Sequence, residues 1–130
     1  MPKTQTTQPV IAVLDNEPEM RKALRRLLSC CGFRVVEYAG GDEFLAALDL
    51  HPPDCLLLDL HMPEINGFDV LEAKRFRQMP MPVVVITAHD EPGTAERVLA
   101  LGASACLRKP VDRDALLSAI SETIAGAKKQ

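Results

Sequence analysis

The sequence predicts an α/β fold in which one five-stranded parallel sheet carries helices on both faces. The first reason is a set of short apolar runs without polar residues, at residues 10–14, 56–58 and 83–86. Such runs are typical of strands that are buried on both faces of a parallel sheet. The second reason is that these runs alternate with segments of helical periodicity, a pattern that favours parallel strands joined by crossover helices.

The size and composition of the chain are those of one globular domain. Its 130 residues are 47% hydrophobic and 25% charged, with a formal net charge of −3, and such a chain can form one core. The net charge gives the whole molecule no electrostatic basis for binding nucleic acid. No apolar run approaches the length of a membrane span. Residues 1–8 lack the apolar core of a signal peptide, so we expect a disordered tail there and a cytoplasmic protein.

The first half of the chain predicts two strands and two helices. The strand at residues 10–14 ends in an acidic loop, and Pro18 suits the first turn of the helix that follows. Gly32 ends this helix. Residues 34–38 form a shorter and more polar strand, as expected near a sheet edge. The second helix covers about residues 41–50, and the two prolines after it prevent its extension.

The second half continues the same alternation. After the central strand, a helix is expected over about residues 67–77, a strand over 83–87 and another helix over about 94–101. A short strand then ends at Arg108. Asp112 is a suitable N-cap for the last helix. The apolar face of that helix carries Leu116, Leu117, Ile120 and Ile124.

Five polar side chains fall at the carboxyl ends of predicted strands: Asp15, Asn16, Asp59, Thr87 and Lys109. Right-handed crossovers place these ends along one rim, where open α/β sheets bind ligands. Two carboxylates with neutral oxygen ligands suit Mg²⁺, and a hydroxyl with an ammonium group suits phosphoryl oxygens. Asp59 could then be a nucleophile that forms an acyl phosphate. Taken singly, each residue could equally be a cap, a turn residue or a surface charge.

The four cysteines, Cys30, Cys31, Cys55 and Cys106, form no C-x-x-C pair. Their apolar neighbours favour free and mostly buried thiols. A zinc site would need clustered ligands, whereas the three histidines are scattered along the chain.

The chain resembles the receiver domain of bacterial two-component response regulators over about residues 9–126. Four segments carry the resemblance: 13–17 (VLDNE), 57–63 (LLDLHMP) with Asn66 and Gly67, 85–88 (VITA) and 107–110 (LRKP). The segments 59–63 and 108–112 are most similar to the FixJ-type subgroup. The resemblance implies a flavodoxin-like, doubly wound sheet of strand order 2-1-3-4-5. It also implies a receiver domain over residues 9–127, with a tail or the start of a linker at 128–130.

The resemblance assigns phosphoryl chemistry to three residues. Asp59 matches the phospho-acceptor, Thr87 the switch hydroxyl, and Lys109 the lysine that pairs with a phosphoryl oxygen. The family's equivalent of the Lys109–Pro110 bond is cis. The implied donor is a histidine kinase or phosphotransfer protein that meets the basic first helix, and phosphorylation is expected to favour a homodimer. Such a chain is not an enzyme, although it assists its own phosphorylation and slow dephosphorylation.

The resemblance also implies a Mg²⁺ site with two departures from the family pattern. Asp15 matches the first of two metal-binding acids, Asp59 contributes its carboxylate, and His61 matches the position whose backbone carbonyl is a ligand. Asn16 stands where the family usually has the second acid, so we expect weaker metal binding through an uncharged amide oxygen. Cys106 stands where the family often has an aromatic residue that turns inward on activation.

Three alternatives compete with a phosphorylatable receiver. Asn16 and Cys106 motivate a degenerate receiver that acts only as a protein-interaction module, independent of phosphorylation. A phosphatase of the haloacid-dehalogenase type would need a second Asp two residues after the nucleophile, where this chain has His61. A nucleotide-binding flavodoxin-like domain would need a glycine-rich phosphate loop after the first strand, where this chain has an acidic loop.

Overall fold

The computed structural model describes residues 8–88 and 91–128, in which five strands alternate with five helices. The strands are β1 (Val10–Leu14), β2 (Arg34–Tyr38), β3 (Cys55–Asp59), β4 (Val83–Thr87) and β5 (Ala105–Arg108). The helices are α1 (Pro18–Cys30), α2 (Gly41–Leu48), α3 (Gly67–Phe76), α4 (Thr94–Ala100) and α5 (Arg113–Lys128). Every predicted element is present, with small differences at the ends. In these residues no helix is long and apolar enough to cross a membrane.

All neighbouring strands pair in parallel, and their order is β2-β1-β3-β4-β5. This is the order that the resemblance implied. It places β3 at the centre, where all five of its residues are buried. β2 lies at an edge and is only partly buried, which explains its more polar sequence.

The sheet divides the core into two apolar layers because alternate residues of a strand point to opposite faces. Leu56 and Leu58 of β3 pack on one face with buried side chains of α2, α3 and α4. Leu57 packs on the other face with α1 and α5. Helices therefore cover both faces, and the predicted doubly wound architecture is confirmed.

The cysteine prediction was partly wrong. All four thiols are free, but Cys55 is the one that is buried, whereas Cys30 is exposed and Cys31 and Cys106 are intermediate. Cys30 lies in the last turn of α1, two residues beyond the buried Leu28, and a two-residue step on a helix leads to nearly the opposite face. Apolar neighbours in sequence therefore gave a poor indication of burial at this position.

The predicted disordered tail at residues 1–8 falls almost entirely outside the described residues. The end of the predicted C-terminal segment 128–130 does so as well, and so do residues 89–90 of the loop after β4. α5 continues to Lys128.

Candidate functional site

The buried polar residues of the described chain all lie at the carboxyl ends of neighbouring central strands. They are Asp15, Asp59 and Thr87, with exposed fractions of 3%, 5% and 1%. Each stands at the end of a run of buried aliphatic residues, after β1, on β3 or on β4. Burial of a polar group opposes folding unless the group is paired. Their concentration at one rim therefore indicates a functional site.

Lys109 reaches the same rim from the loop after β5. Its ammonium Nζ lies 3.2 Å from Asp15 Oδ2, 3.3 Å from Glu17 Oε1 and 3.8 Å from Asp59 Oδ1. Its backbone N–H donates to the carbonyl of Thr87 at 2.9 Å, which attaches the loop to β4. One ammonium group thus lies among three carboxylates.

The loop after β1 shapes the site through Asp15. The Asp15 Oδ1 atom accepts a hydrogen bond from the backbone N–H of Glu17 at 2.9 Å, and Arg21 Nη1 donates to the Asp15 carbonyl at 2.7 Å. This turn brings the side chain of Glu17 to Lys109. The sequence did not predict that contact, although a turn in which an Asp side chain accepts from the backbone N–H two residues later is common and could have suggested it.

The loop after β3 holds Asp59 through close backbone contacts. The N–H of His61 donates to Asp59 Oδ1 at 3.3 Å, and the N–H of Gly67 donates to the Leu60 carbonyl at 3.0 Å. A Cβ atom on Gly67 would lie 2.7 Å from Leu60 Cα and 2.9 Å from the Asp59 carbonyl oxygen. Only glycine fits there, and Asn66 starts α3 with a capping box.

The rim carries more negative charge than Lys109 balances. The pKa of Asp59 is raised from 3.8 to about 6, mainly by burial and then by the Asp15 carboxylate, while Lys109 and the His61 N–H lower it. For Lys109, burial acts to lower the pKa, but the carboxylates of Asp59 and Asp15 outweigh it and raise the pKa above its usual value. The site therefore favours a proton or a further cation near Asp59.

The structure brings the predicted residues to one edge of the sheet, with different degrees of burial. The three buried residues and Lys109 form the inner part, whereas the side chains of Asn16 and His61 are exposed in the loops after β1 and β3. For His61 the predicted ligand is the backbone carbonyl, with which an exposed imidazole is compatible. The Lys109–Pro110 peptide bond is cis, as predicted.

The oxygen atoms at the rim fit Mg²⁺ better than a metal that needs a complete protein cage. In the part of the chain that the structure describes, no three His, Cys, Asp or Glu side chains form a metal-binding cluster. Asp15 and Asp59 offer two buried carboxylates, and neutral oxygens of Asn16 and His61 lie on the adjoining loops. Mg²⁺ typically uses one or two carboxylates and keeps several waters, whereas structural zinc sites use four protein ligands.

Comparison with known proteins gives consistent matches along the chain. The family model described as "Response regulator receiver domain" matches residues 11–121. The transcriptional regulatory protein FixJ of Bradyrhizobium diazoefficiens is 33% identical over 119 residues, which cover 92% of this chain and 58% of FixJ. The DNA-binding transcriptional regulator NtrC of Salmonella typhimurium is 31% identical over 121 residues, which cover 93% of this chain and 26% of NtrC.

Solved structures agree with these sequence matches. The crystal structure of a response regulator receiver domain protein from Clostridium thermocellum superposes with a TM-score of 0.86 and 28% sequence identity, over 92% of this chain and 97% of that chain. The chain thus spans nearly the whole of a solved receiver domain but less than two thirds of each of the two curated relatives.

Proposed function

Because the chain belongs to the response regulator receiver family, we propose that Asp59 is its phospho-acceptor. The observation that carries the proposal is the position of Asp59 at the end of the central strand. Its carboxylate is buried there, 3.8 Å from the Lys109 ammonium group and beside the second buried carboxylate, Asp15. A pKa of about 6 leaves Asp59 mostly ionised at neutral pH, as a nucleophile requires.

In the proposed reaction, a carboxylate oxygen of Asp59 attacks the phosphorus atom of the donor. A new P–O bond forms, the bond from phosphorus to the donor's leaving atom breaks, and the leaving group takes that electron pair. Lys109 pairs with a phosphoryl oxygen, and the Thr87 hydroxyl donates to another. Both contacts offset the negative charge that the phosphoryl group brings to the rim.

The site would hold Mg²⁺ through Asp15, Asp59, the Asn16 amide oxygen and the His61 carbonyl. When bound, the ion supplies positive charge between the carboxylates and the phosphoryl oxygens. The raised pKa of Asp59 supports this proposal, because burial and then the neighbouring Asp15 carboxylate disfavour its charge, and a bound cation would offset both effects. Asn16 contributes an oxygen but no charge, so the affinity for Mg²⁺ should be lower than with an acid at this position.

The proposed donor is a histidine kinase or a histidine phosphotransfer protein that docks on α1. The outer face of this helix is basic. Arg21 and Arg25 form ion pairs with Glu37 of β2, although the side chain of Arg25 remains 61% exposed. Lys22 and Arg26 are exposed as well. Lys22, Arg25 and Arg26 are therefore the part of the basic face that is most available to a partner.

Intact-mass analysis after incubation with phosphoramidate and Mg²⁺ tests the acceptor. We expect one added phosphoryl group on the wild type and none on Asp59→Asn. Asp54→Asn is the matched control, because Asp54 is a carboxylate next to the opposite end of β3. Its Oδ2 atom accepts a hydrogen bond from the Val10 N–H. An unchanged signal in Asp59→Asn would remove Asp59 from the role. A wild type that takes no phosphoryl group would favour the degenerate receiver.

We also propose that phosphorylation favours a homodimer through α4, β5 and α5, with residues 9–127 acting as the receiver domain. Small side chains at residues 102–106, in the loop after α4 and the first part of β5, would allow close approach of a second copy. Light scattering with and without beryllofluoride, a phosphoryl mimic, should show a larger mass in its presence. Identical masses in both states, at concentrations well above cellular ones, would contradict dimerisation.

A further inference from the structure

Glu17 is the exposed member of the carboxylate cluster around Lys109. Its Oε1 atom lies 3.3 Å from Lys109 Nζ, and Asp15 Oδ2 lies 3.2 Å from the same nitrogen. The side chain of Glu17 is 65% exposed, against 4% for Asp15. Glu17 and Asp15 therefore share the ammonium group of Lys109, one from the exposed side of the rim and the other from the buried side.

The position of Glu17 beside Lys109 is significant because the preceding residue, Asn16, is neutral. Asn16 contributes no charge to the rim, and its side chain is exposed in the same loop. The hydrogen bond from the Glu17 N–H to Asp15 Oδ1, at 2.9 Å, ties the position of Glu17 to that of Asp15. With Glu17 counted, three carboxylates face one ammonium group, although position 16 is neutral.

We propose that Glu17 is a positioning residue of the acceptor site and supplies the negative charge that Asn16 lacks. This inference rests on the proposed function, because it concerns the cation site beside Asp59. Glu17 acts from outside the innermost ligands, by holding Lys109 and by attracting the hydrated divalent cation. An exposed ion pair contributes little to folding stability, so the effect of Glu17 should appear in cation binding rather than in unfolding.

A double-mutant cycle with position 16 tests this role. Calorimetric titration with Mg²⁺ would compare the wild type, Glu17→Gln, Asn16→Asp and the double variant. In the wild-type background, loss of the Glu17 charge should raise the Mg²⁺ dissociation constant about three- to tenfold, the range for one partly screened charge. In the Asn16→Asp background, the same substitution should raise the Mg²⁺ dissociation constant less than about twofold, because the carboxylate at position 16 then supplies the negative charge.

The matched control is Glu19→Gln. Glu19 is an exposed acid in the first turn of α1, and this substitution changes the net charge by the same amount. We expect it to leave the Mg²⁺ dissociation constant within about twofold of the wild type, since screening weakens distant exposed charges. In the absence of Mg²⁺, the unfolding curves of the wild type, Glu17→Gln and Glu19→Gln should superpose. Asn16→Asp and the double variant should be less stable, because the added carboxylate increases the repulsion at the rim.

Two results would overturn the inference. One is a Mg²⁺ dissociation constant of Glu17→Gln equal to that of the wild type. The other is an equal loss of Mg²⁺ affinity in the wild-type and Asn16→Asp backgrounds, which would make Glu17 a general surface charge. The phosphorylation assay separates this failure from that of the proposed function. If the wild type gains a phosphoryl group on Asp59 while positions 16 and 17 show no coupling, the acceptor assignment stands and the role of Glu17 is wrong.

Discussion

The central strand changes its physical character between Leu58 and Asp59. Both residues are buried, at 0% and 5% exposure. Leu58 packs in an aliphatic layer against helices, whereas Asp59 is a carboxyl group whose pKa is raised to about 6, first by burial and then by Asp15. Burial stabilises the fold at one position and opposes it at the next.

The magnitudes of the two effects are similar. Full burial of a leucine side chain contributes roughly 1.5–3 kcal/mol. A rise of about two units in the pKa of one carboxyl group corresponds to a loss of at most about 3 kcal/mol above that pKa, and solvent near the rim reduces the loss. A few aliphatic residues thus offset the unfavourable carboxylate, so the protein can hold a destabilising charge where the chemistry is expected.

The largest expected effect is the loss of a core side chain. Leu58→Ala should lower the free energy of unfolding by about 3 kcal/mol, within a range of roughly 2–5 kcal/mol, because it removes packing and leaves a cavity. Val36→Ala on the edge strand β2, where Val36 is 40% exposed, should cost about 1 kcal/mol or less. Urea unfolding at pH 7 measures both. Equal losses would mean that the centre and the edge of the sheet contribute alike to stability.

The strands could be predicted because their information is local. Aliphatic runs at β1, β3 and β4 encode burial on both faces, and the polar residue that ends each run marks the rim. The site residues followed from the same pattern together with the resemblance. No contact between distant residues is needed for either inference.

The features that were missed depend on three-dimensional placement. The Glu17–Lys109 contact joins an exposed side chain to a largely buried one, 92 positions apart in the sequence. The guanidinium of Arg97 lies 3.9 Å from the ring centroid of Phe68, a contact between α4 and α3 that no periodicity encodes. The exposure of Cys30, by contrast, follows from helical periodicity, because Cys30 lies two residues after the buried Leu28 and thus on nearly the opposite face of α1.

The smaller expected effect concerns the rim and has the opposite sign. The pKa of Asp59 in the folded protein, about 6, lies above its usual value of 3.8. Between these pH values the folded state binds more protons than the unfolded state, so the contribution of Asp59 to stability falls as the pH rises from about 4 to about 6. Above about pH 6 the ionised carboxylate destabilises the fold. Asp59→Asn removes this titration and should be more stable than the wild type at neutral pH.

The most direct test of the contrast between core and rim is the free energy of unfolding of the wild type and Asp59→Asn across pH 4–8. The titrations would contain a chelator, and Glu122→Gln would serve as an exposed control on α5. The variant should be more stable by roughly 1–3 kcal/mol at pH 7–8, and this difference should shrink towards zero near pH 4. A variant that is no more stable than the wild type at pH 7.5, or a difference that does not change with pH, would contradict the account.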